Sequence, residues 1–430
     1  MKKNIYLSAF LLVTSFIVNA QEKPLDVKFR RSSLHTMVVE TDKFPKKEVV
    51  LNAFNNAPFP DKYNDHQIGV KSFNPNNYPL TNEEKATIYK QSKLASFAKS
   101  TAGLGTDSLS KELPLKIQKY LAKEKIANQL VAKWFNRQPD GSFDAELIAE
   151  RGIFNASYLE LKSAESSSDG NALLKTAGFE LIDNTFVVIN KFNYVANEPI
   201  ARAIRDAARD AAKDTPALLL DKVNKGIDAT YEKTKEGYSI WATSYLYKLV
   251  WDEVTANTFY QDFYMEKNSL DPKKKLAFDN SDLFKLEFVG EESASGLVTF
   301  SLTEKRTEDQ IIELSTIRIV DNVYAKLQKK YDVFKTKTPL FTGNPITAKI
   351  GKKEGLEGGE KFEVLEMNQD PKTGAITYKN IGTIKVDKNL IWDNTYNPTN
   401  EENNSTPTID RTTFSGGSKF YPGLLIKQIK

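Results

Sequence analysis

The stretch PITAKIGKKEGLEGGEKFEVLEM, residues 345–367, decides how the end of this chain folds. Ile346, Ala348 and Ile350 alternate with Thr347 and Lys349, the period of two that marks a half-buried strand. A glycine-rich turn over 351–359 follows, and Lys361–Met367 reads as the next strand. Residues 368–374 (NQDPKTG) form a turn, because Pro371 fixes φ while Asn, Asp and Gly tolerate the left-handed region. Ala375–Asn380, Gly382–Val386 and Leu424–Ile429 complete the set. Five or six short strands in under ninety residues, with no helical period among them, predict a small closed barrel or sandwich. Closure removes the exposed edges that short strands otherwise leave.

At the other end, Lys2 and Lys3 precede the apolar run Ile5–Val18, which ends in Val18-Asn19-Ala20 before Gln21. This is the pattern of a secretory signal peptide cleaved after Ala20, too short and wrongly flanked for a membrane span. No cysteine follows the run, so the expectation is export without lipoprotein acylation, to the periplasm or the cell envelope. No later apolar stretch approaches the roughly 18 residues that cross a bilayer. The 430 residues hold no cysteine at all, which excludes disulfides, thiolate metal sites and cysteine nucleophiles. The formal net charge of +4 falls to near +2 without Lys2 and Lys3, a balance that gives no electrostatic case for nucleic acid.

Between these ends the chain divides into an extended N-terminal arm (21–82), a helical region (83–170), an α+β domain (171–340) and the β module (341–430). In the arm, Pro58, Pro60, Pro75 and Pro79 break regular structure, and Phe54, Phe59, Tyr63, Phe73 and Tyr78 predict packing along another domain. One short strand and a short helix near Lys46–Phe54 are its regular parts. Helices are predicted over Glu83–Lys99, over about 114–136, where Ile117, Leu121, Leu130, Val131 and Trp134 keep a 3.6 period, and over Asp144–Arg151. Leu161–Gly170 reads as a loop. Glu198–Lys235 reads as two helices parted at Pro216, and Thr307 with Gln310 forms a capping-box pattern opening a helix that runs to about Phe334. Phe179–Asn190, Tyr238–Trp251, Phe259–Met265, Leu283–Val289 and Gly296–Leu302 read as strands. The fold class is therefore α+β, a helical N-terminal region followed by a mostly antiparallel sheet with flanking helices and a small terminal β-barrel.

The order formed by RRSSL (30–34), PDKYNDH (60–66), IGKKEG (350–355), IWDN (391–394) and FYPG (420–423) resembles exported proteins of unknown function from Bacteroidetes-type bacteria. That resemblance spans nearly the whole mature chain and implies no activity. Gly351–Val364 is in addition similar to the C-terminal SH3-like barrel of flagellar assembly protein T, a periplasmic structural component. It implies an SH3-like barrel and favours an envelope scaffold over an enzyme, without carrying over any site.

Candidate chemistry is sparse. Asp61, Asp65 and His66 lie in one loop and have the ligand types of zinc or a harder divalent ion, though Asp, Asn and Pro are also ordinary turn-builders. His35 has Ser32 and Ser33 beside it, but a nucleophile and its base meet through the fold and not through sequence proximity. Asp140, Asp144 and Glu146 loosely resemble a calcium loop without its spacing, and Gly103-Leu104-Gly105 lacks the third glycine of a dinucleotide turn. Trp241, Tyr245, Tyr247 and Trp251 share one strand face, either as core under a helix or as a stacking platform for sugars. Trp392 and Tyr421 sit in loops of the β module, where small barrels bind. Glu401–Thr406 reads as a solvated loop. No cofactor is indicated. The expectation is a non-enzymatic envelope component whose partner is an envelope protein or a cell-wall glycan; a carboxylate-pair glycosidase is the remaining enzymatic alternative.

Overall fold

A computed structural model describes residues 29–88, 108–154, 180–298, 306–369, 376–396, 409–417 and 419–429. The proposed signal segment, the 161–170 and 401–406 loops, Gly103–Gly105 and most of the 368–374 turn lie outside the described residues, as does the helix expected over Glu83–Lys99 beyond its first turns.

A six-stranded sheet and a closed six-stranded barrel organise the molecule. The sheet comprises β1 (Ser33–Val39), β2 (Asn64–Asp65), β3 (Ser72–Phe73), β4 (Thr185–Ala196), β5 (Tyr238–Leu249) and β6 (Leu286–Val298). Its order is β2-β1-β4-β5-β6, with β3 also on β1. The pairs β4–β5 and β5–β6 are antiparallel, whereas β1 runs parallel to β2, β3 and β4. The stretch expected to lie as an arm therefore delivers three of the sheet's six strands, β1, β2 and β3. All seven residues of β1 are buried, as parallel pairing with both faces covered requires. The strands expected at Leu283–Val289 and Gly296–Leu302 belong, as far as the described residues go, to one strand that passes Gly290 by a bulge in β6, where Val289 has no partner on β5. A Cβ at Gly290 would lie 2.2 Å from the Tyr331 hydroxyl, so a larger residue there would force the Tyr331 ring to move.

Alternation sorts the strands' side chains between two cores. Leu34, Val38, Phe186, Val188, Phe192, Ile240 and Leu246 face the helices Lys47–Asn56 and Glu308–Lys330. Met37, Val39, Val187, Ile189, Tyr245 and Tyr247 face the helix Ser108–Lys123 and its successor Ile126–Trp134. The single helix expected over 114–136 is thus two, separated where Lys125 adopts φ 51°. A third core, rich in aromatic rings, gathers Trp134, Phe135, Phe143, Trp251, Phe259, Phe278 and Phe284 at one end. Phe259–Phe263 belongs to it as a helical turn instead of the expected strand, and this turn buries both Phe259 and Phe263.

The long helix Glu308–Lys330 begins as its sequence predicts. The Gln310 N–H donates to Thr307 Oγ1 at 3.3 Å and the Thr307 N–H to Gln310 Oε1 at 2.9 Å. Lys46 closes the start with ion pairs of 2.7 Å to both Glu308 and Asp309. By contrast, the helices Asn197–Ala211 and Ala217–Thr234 form a hairpin between β4 and β5 that buries little. No described helix is long and apolar enough to cross a membrane.

The barrel comprises β7 (Lys337–Gly343), β8 (Ile346–Ala348), β9 (Lys361–Gln369), β10 (Ile376–Val386), β11 (Thr412–Ser415) and β12 (Leu425–Gln428). It closes in the order β10-β11-β8-β7-β12-β9, entirely antiparallel. The two strands expected on either side of Ile381 are one strand with a bulge. Leu340, Ile346, Phe362, Val364, Ile384, Phe414, Phe420 and Ile426 fill the interior, so the barrel is a packed core and not a pore. It is fastened to the body by Lys62 Nζ to the Lys349 carbonyl (2.6 Å), Arg318 Nε to the Tyr396 carbonyl (3.1 Å) and Lys329 Nζ to the Gly355 carbonyl (2.7 Å). At the junction the Tyr63 hydroxyl donates to the Phe334 carbonyl (2.8 Å) and accepts from Gln328 Nε2 (2.9 Å).

Candidate functional site

Both histidines of the chain lie near the β1 edge, fully buried, and each has a fixed tautomer. His66 stacks on Trp134 with 4.6 Å between ring centroids. Its Nδ1 lies 2.9 Å from Arg151 Nη1; a guanidinium has no acceptor, so Nδ1 accepts. Nε2 then carries the proton and donates to the Leu130 carbonyl at 3.0 Å. Burial first, and the Arg151 charge second, hold this imidazole well below its usual range. Arg151 also donates to Ser33 Oγ (3.3 Å) and the Asp65 carbonyl (2.7 Å), and lies 4.6 Å over the Trp134 ring. Burial lowers its own pKa to about 10.

With both His66 nitrogens occupied, no lone pair remains for a metal. Asp65 Oδ1 accepts from the Gln67 N–H at 2.9 Å, and the Asp61 carbonyl accepts from Arg30 Nε at 2.6 Å. Asp61, Asp65 and His66 therefore each serve the local architecture. No group of three or more residues suited to holding a metal ion occurs among the described residues.

His35 is arranged differently. Gln67 Nε2 donates to Thr36 Oγ1 at 2.5 Å, so Gln67 Oε1 accepts from the Thr36 N–H (3.2 Å) and from His35 Nδ1 (2.6 Å). That leaves His35 Nε2 as a buried acceptor with no hydrogen-bond partner among the described residues. Burial pushes its pKa down to about 4. Its bonded neighbour is an amide, and Ser33 turns to Arg151, so the Ser–His pairing considered for Ser32, Ser33 and His35 is not assembled. Sequence reading missed Arg151 and Gln67 as partners of the histidines; Arg151 lies 85 residues from His66, and no local pattern connects them.

The aromatic stripe splits. Tyr245 and Tyr247 lie under the helices Ser108–Lys123 and Ile126–Trp134, and Trp251 joins the aromatic core 5.7 Å from Phe135. Trp241 alone is only half-buried. It sits opposite Asn193 on β4 and Ser295 on β6, and the next row holds Lys191, Thr243 and Ser293, with 2.9 Å between the Thr243 and Ser293 hydroxyl oxygens. This part of the sheet is a polar surface with one indole on it.

In the barrel, Trp392 is half-buried and held through its backbone. Its N–H donates to Thr412 Oγ1 at 3.0 Å, and its carbonyl accepts from the Lys352 N–H at 3.0 Å. Tyr421 packs against the barrel core and its hydroxyl donates to Glu366 Oε1 at 3.2 Å. Asp140 Oδ1 accepts from the Ser142 N–H at 2.8 Å and Asp144 Oδ1 from the Glu146 N–H at 3.0 Å, a turn and a cap respectively. No family model matches the sequence, and no curated protein matches it.

Proposed function

We propose that this chain is an exported, non-enzymatic interaction component of the bacterial cell envelope, with the C-terminal barrel as its docking unit. The observation that carries the reading is the barrel's construction. Its interior is filled by its own side chains, so contacts are left to its outer surface and loops, and direct hydrogen bonds hold it to the body. Trp392 lies on such a loop beside the Lys352–Asp393 ion pair of 2.7 Å. Aromatic residues ringed by polar groups are the usual anchors of protein interfaces. The test is crosslinking in intact cells followed by recovery of the full-length protein and mass spectrometry. A stoichiometric envelope protein should be recovered with the wild type and depleted with Trp392→Ala, whose folding is checked by circular dichroism. Recovery of free monomer only, or an unchanged partner with the folded variant, would sink the proposal.

A cell-wall glycan ligand is favoured by a separate feature, the half-buried Trp241 among Asn193, Thr243 and Ser295. Indole faces with flanking hydroxyl and amide groups suit sugar rings. Trp134 and Trp251 are buried, so quenching of fluorescence by cell-wall fragments reports on Trp241 and Trp392. Loss of that quenching in Trp241→Phe supports the glycan reading, and quenching retained in full rejects it.

A further inference from the structure

Lys361 and Lys385 stand directly opposite each other where β9 pairs with β10. Like charges in that position repel across the ladder, and neither ammonium has an ion-pair or hydrogen-bond partner among the described residues. Both line an open cleft of about 470 Å³ between the barrel and the end of the long helix, and Lys329 and Lys335 line it too. Lys329 spends its hydrogen bond on a neutral acceptor, the Gly355 carbonyl, so its charge stays uncompensated. Lys335 pairs with Asp332 at 3.3 Å, but that carboxylate is shared with Lys427 at 2.9 Å. The one acidic lining residue, Glu360, is turned onto its own turn, where its carboxylate accepts from the Glu357 N–H (3.0 Å) and the Gly358 N–H (2.9 Å).

Four lysines thus line a cleft in which the one carboxylate among the described residues, Glu360, is held by the amides of its own turn. An arrangement that repels itself when empty is relieved by a multivalent anion. The donors are all lysines, compact point charges of the kind that bind phosphate, and several of them together suit an anion that carries more than one negative charge. We propose that this cleft binds a phosphate-bearing anion of about diphosphate size, either free or as a lipid headgroup. The inference stands apart from docking through Trp392 and survives if that docking fails.

The experiment uses the full-length protein at low ionic strength, where exposed charges are least screened. Inorganic pyrophosphate is titrated calorimetrically, and flotation compares phosphatidylglycerol with phosphatidylcholine vesicles. Wild type, the double variant Lys361→Gln/Lys385→Gln, and the control Lys222→Gln/Lys233→Gln on the exposed helical hairpin are measured in parallel. The expected result is binding by wild type and control, with about ten-fold or greater weakening in the double variant. Thermal unfolding of the unliganded double variant should come at the same temperature or higher, since a repulsive pair has been removed. Pyrophosphate binding alone identifies a soluble ligand, and phosphatidylglycerol binding alone identifies a headgroup. Binding of neither by wild type, an undiminished affinity in the double variant, or an equal loss in the control would overturn the site.

Discussion

The helices Ala217–Thr234 and Glu308–Lys330 read alike in the sequence, each with apolar residues at helical spacing, yet the first buries none of its residues and the second buries twelve. The difference lies in what each one meets. Glu308–Lys330 has the sheet on one side, through Ile312, Ile319, Val323 and Leu327, and the barrel on another, where Ala325 approaches Gly355. Among the described residues Ala217–Thr234 packs chiefly on Asn197–Ala211, across a seam of polar contacts. The Tyr231 hydroxyl donates to Glu198 at 2.9 Å, Arg205 lies 4.5 Å over the Tyr231 ring, and Arg209 pairs with Asp228. Periodicity specifies a helix, and tertiary partners decide whether its apolar stripe becomes core. The largest expected effect follows at Leu327, which is fully buried between the layers. Leu327→Ala should lower unfolding stability by about 2–5 kcal/mol in urea titrations. A loss below about 1 kcal/mol would mean that this helix is held no more tightly than the hairpin.

The buried helix also carries a largely buried carboxyl, which Ala217–Thr234 does not. Asp321 has only 13% of its side chain exposed, and Lys353 lies 3.8 Å away. Burial first raises its pKa, to about 7; Lys353 opposes the shift, while Glu354 and Asp61 add to it. In the unfolded chain the same carboxyl titrates near its ordinary 3.8. Between these values the folded state binds the extra proton, so the Asp321 contribution falls as pH rises from about 4 to about 7 and is level above. The span corresponds to an upper limit of about 4 kcal/mol. His35 works the other way: its folded pKa of about 4 lies below the unfolded value of 6.5, so its contribution is lost as pH falls through that window. Asp321→Asn should remove this downward contribution, so that stability rises more steeply with pH between about 4 and about 7 than in wild type, and an unchanged profile in the variant would move the titration to another group.

A smaller effect belongs to the start of the same helix. Thr307→Ala removes one half of the capping box and should cost about 1 kcal/mol, with Thr307→Ser close to neutral. If both variants match wild type, the Lys46 ion pairs to Glu308 and Asp309 suffice to fix that end.

Features carried by neighbouring residues were legible. The capping box, the break at Pro216 and the barrel strands Lys361–Gln369 and Leu425–Gln428 all follow from local pattern. Two barrel strands were not: Lys337–Gly343 contains Pro339, and Thr412–Ser415 is only four residues long. Nor was the parallel β1–β4 pairing, because the Ser33↔Thr185 contact spans 152 residues. The same limit hid the candidate sites. His66 meets Arg151, and Lys361 meets Lys385, only through register and packing. Whether Tyr245, Tyr247 and Trp251 are core or a stacking platform is decided by the helices and rings that cover them, whereas Trp241 lies beyond that cover.

The smallest effect sharpens the comparison most. Leu218 is 93% exposed, and no buried residue lies on its helix. Leu218→Lys should change stability by less than about 0.5 kcal/mol, the range of an uncovered surface position. Helix propensity scarcely differs between the two residues, so any larger change must come from lost burial. A loss above about 1 kcal/mol would show that the hairpin's apolar residues are covered in solution, and the contrast with Glu308–Lys330 would then be one of partner and not of exposure. A neutral outcome leaves the hairpin as a helical pair stabilised by its polar seam, with Glu198→Ala, which removes the Tyr231 and Arg202 contacts together, as the substitution that loosens it.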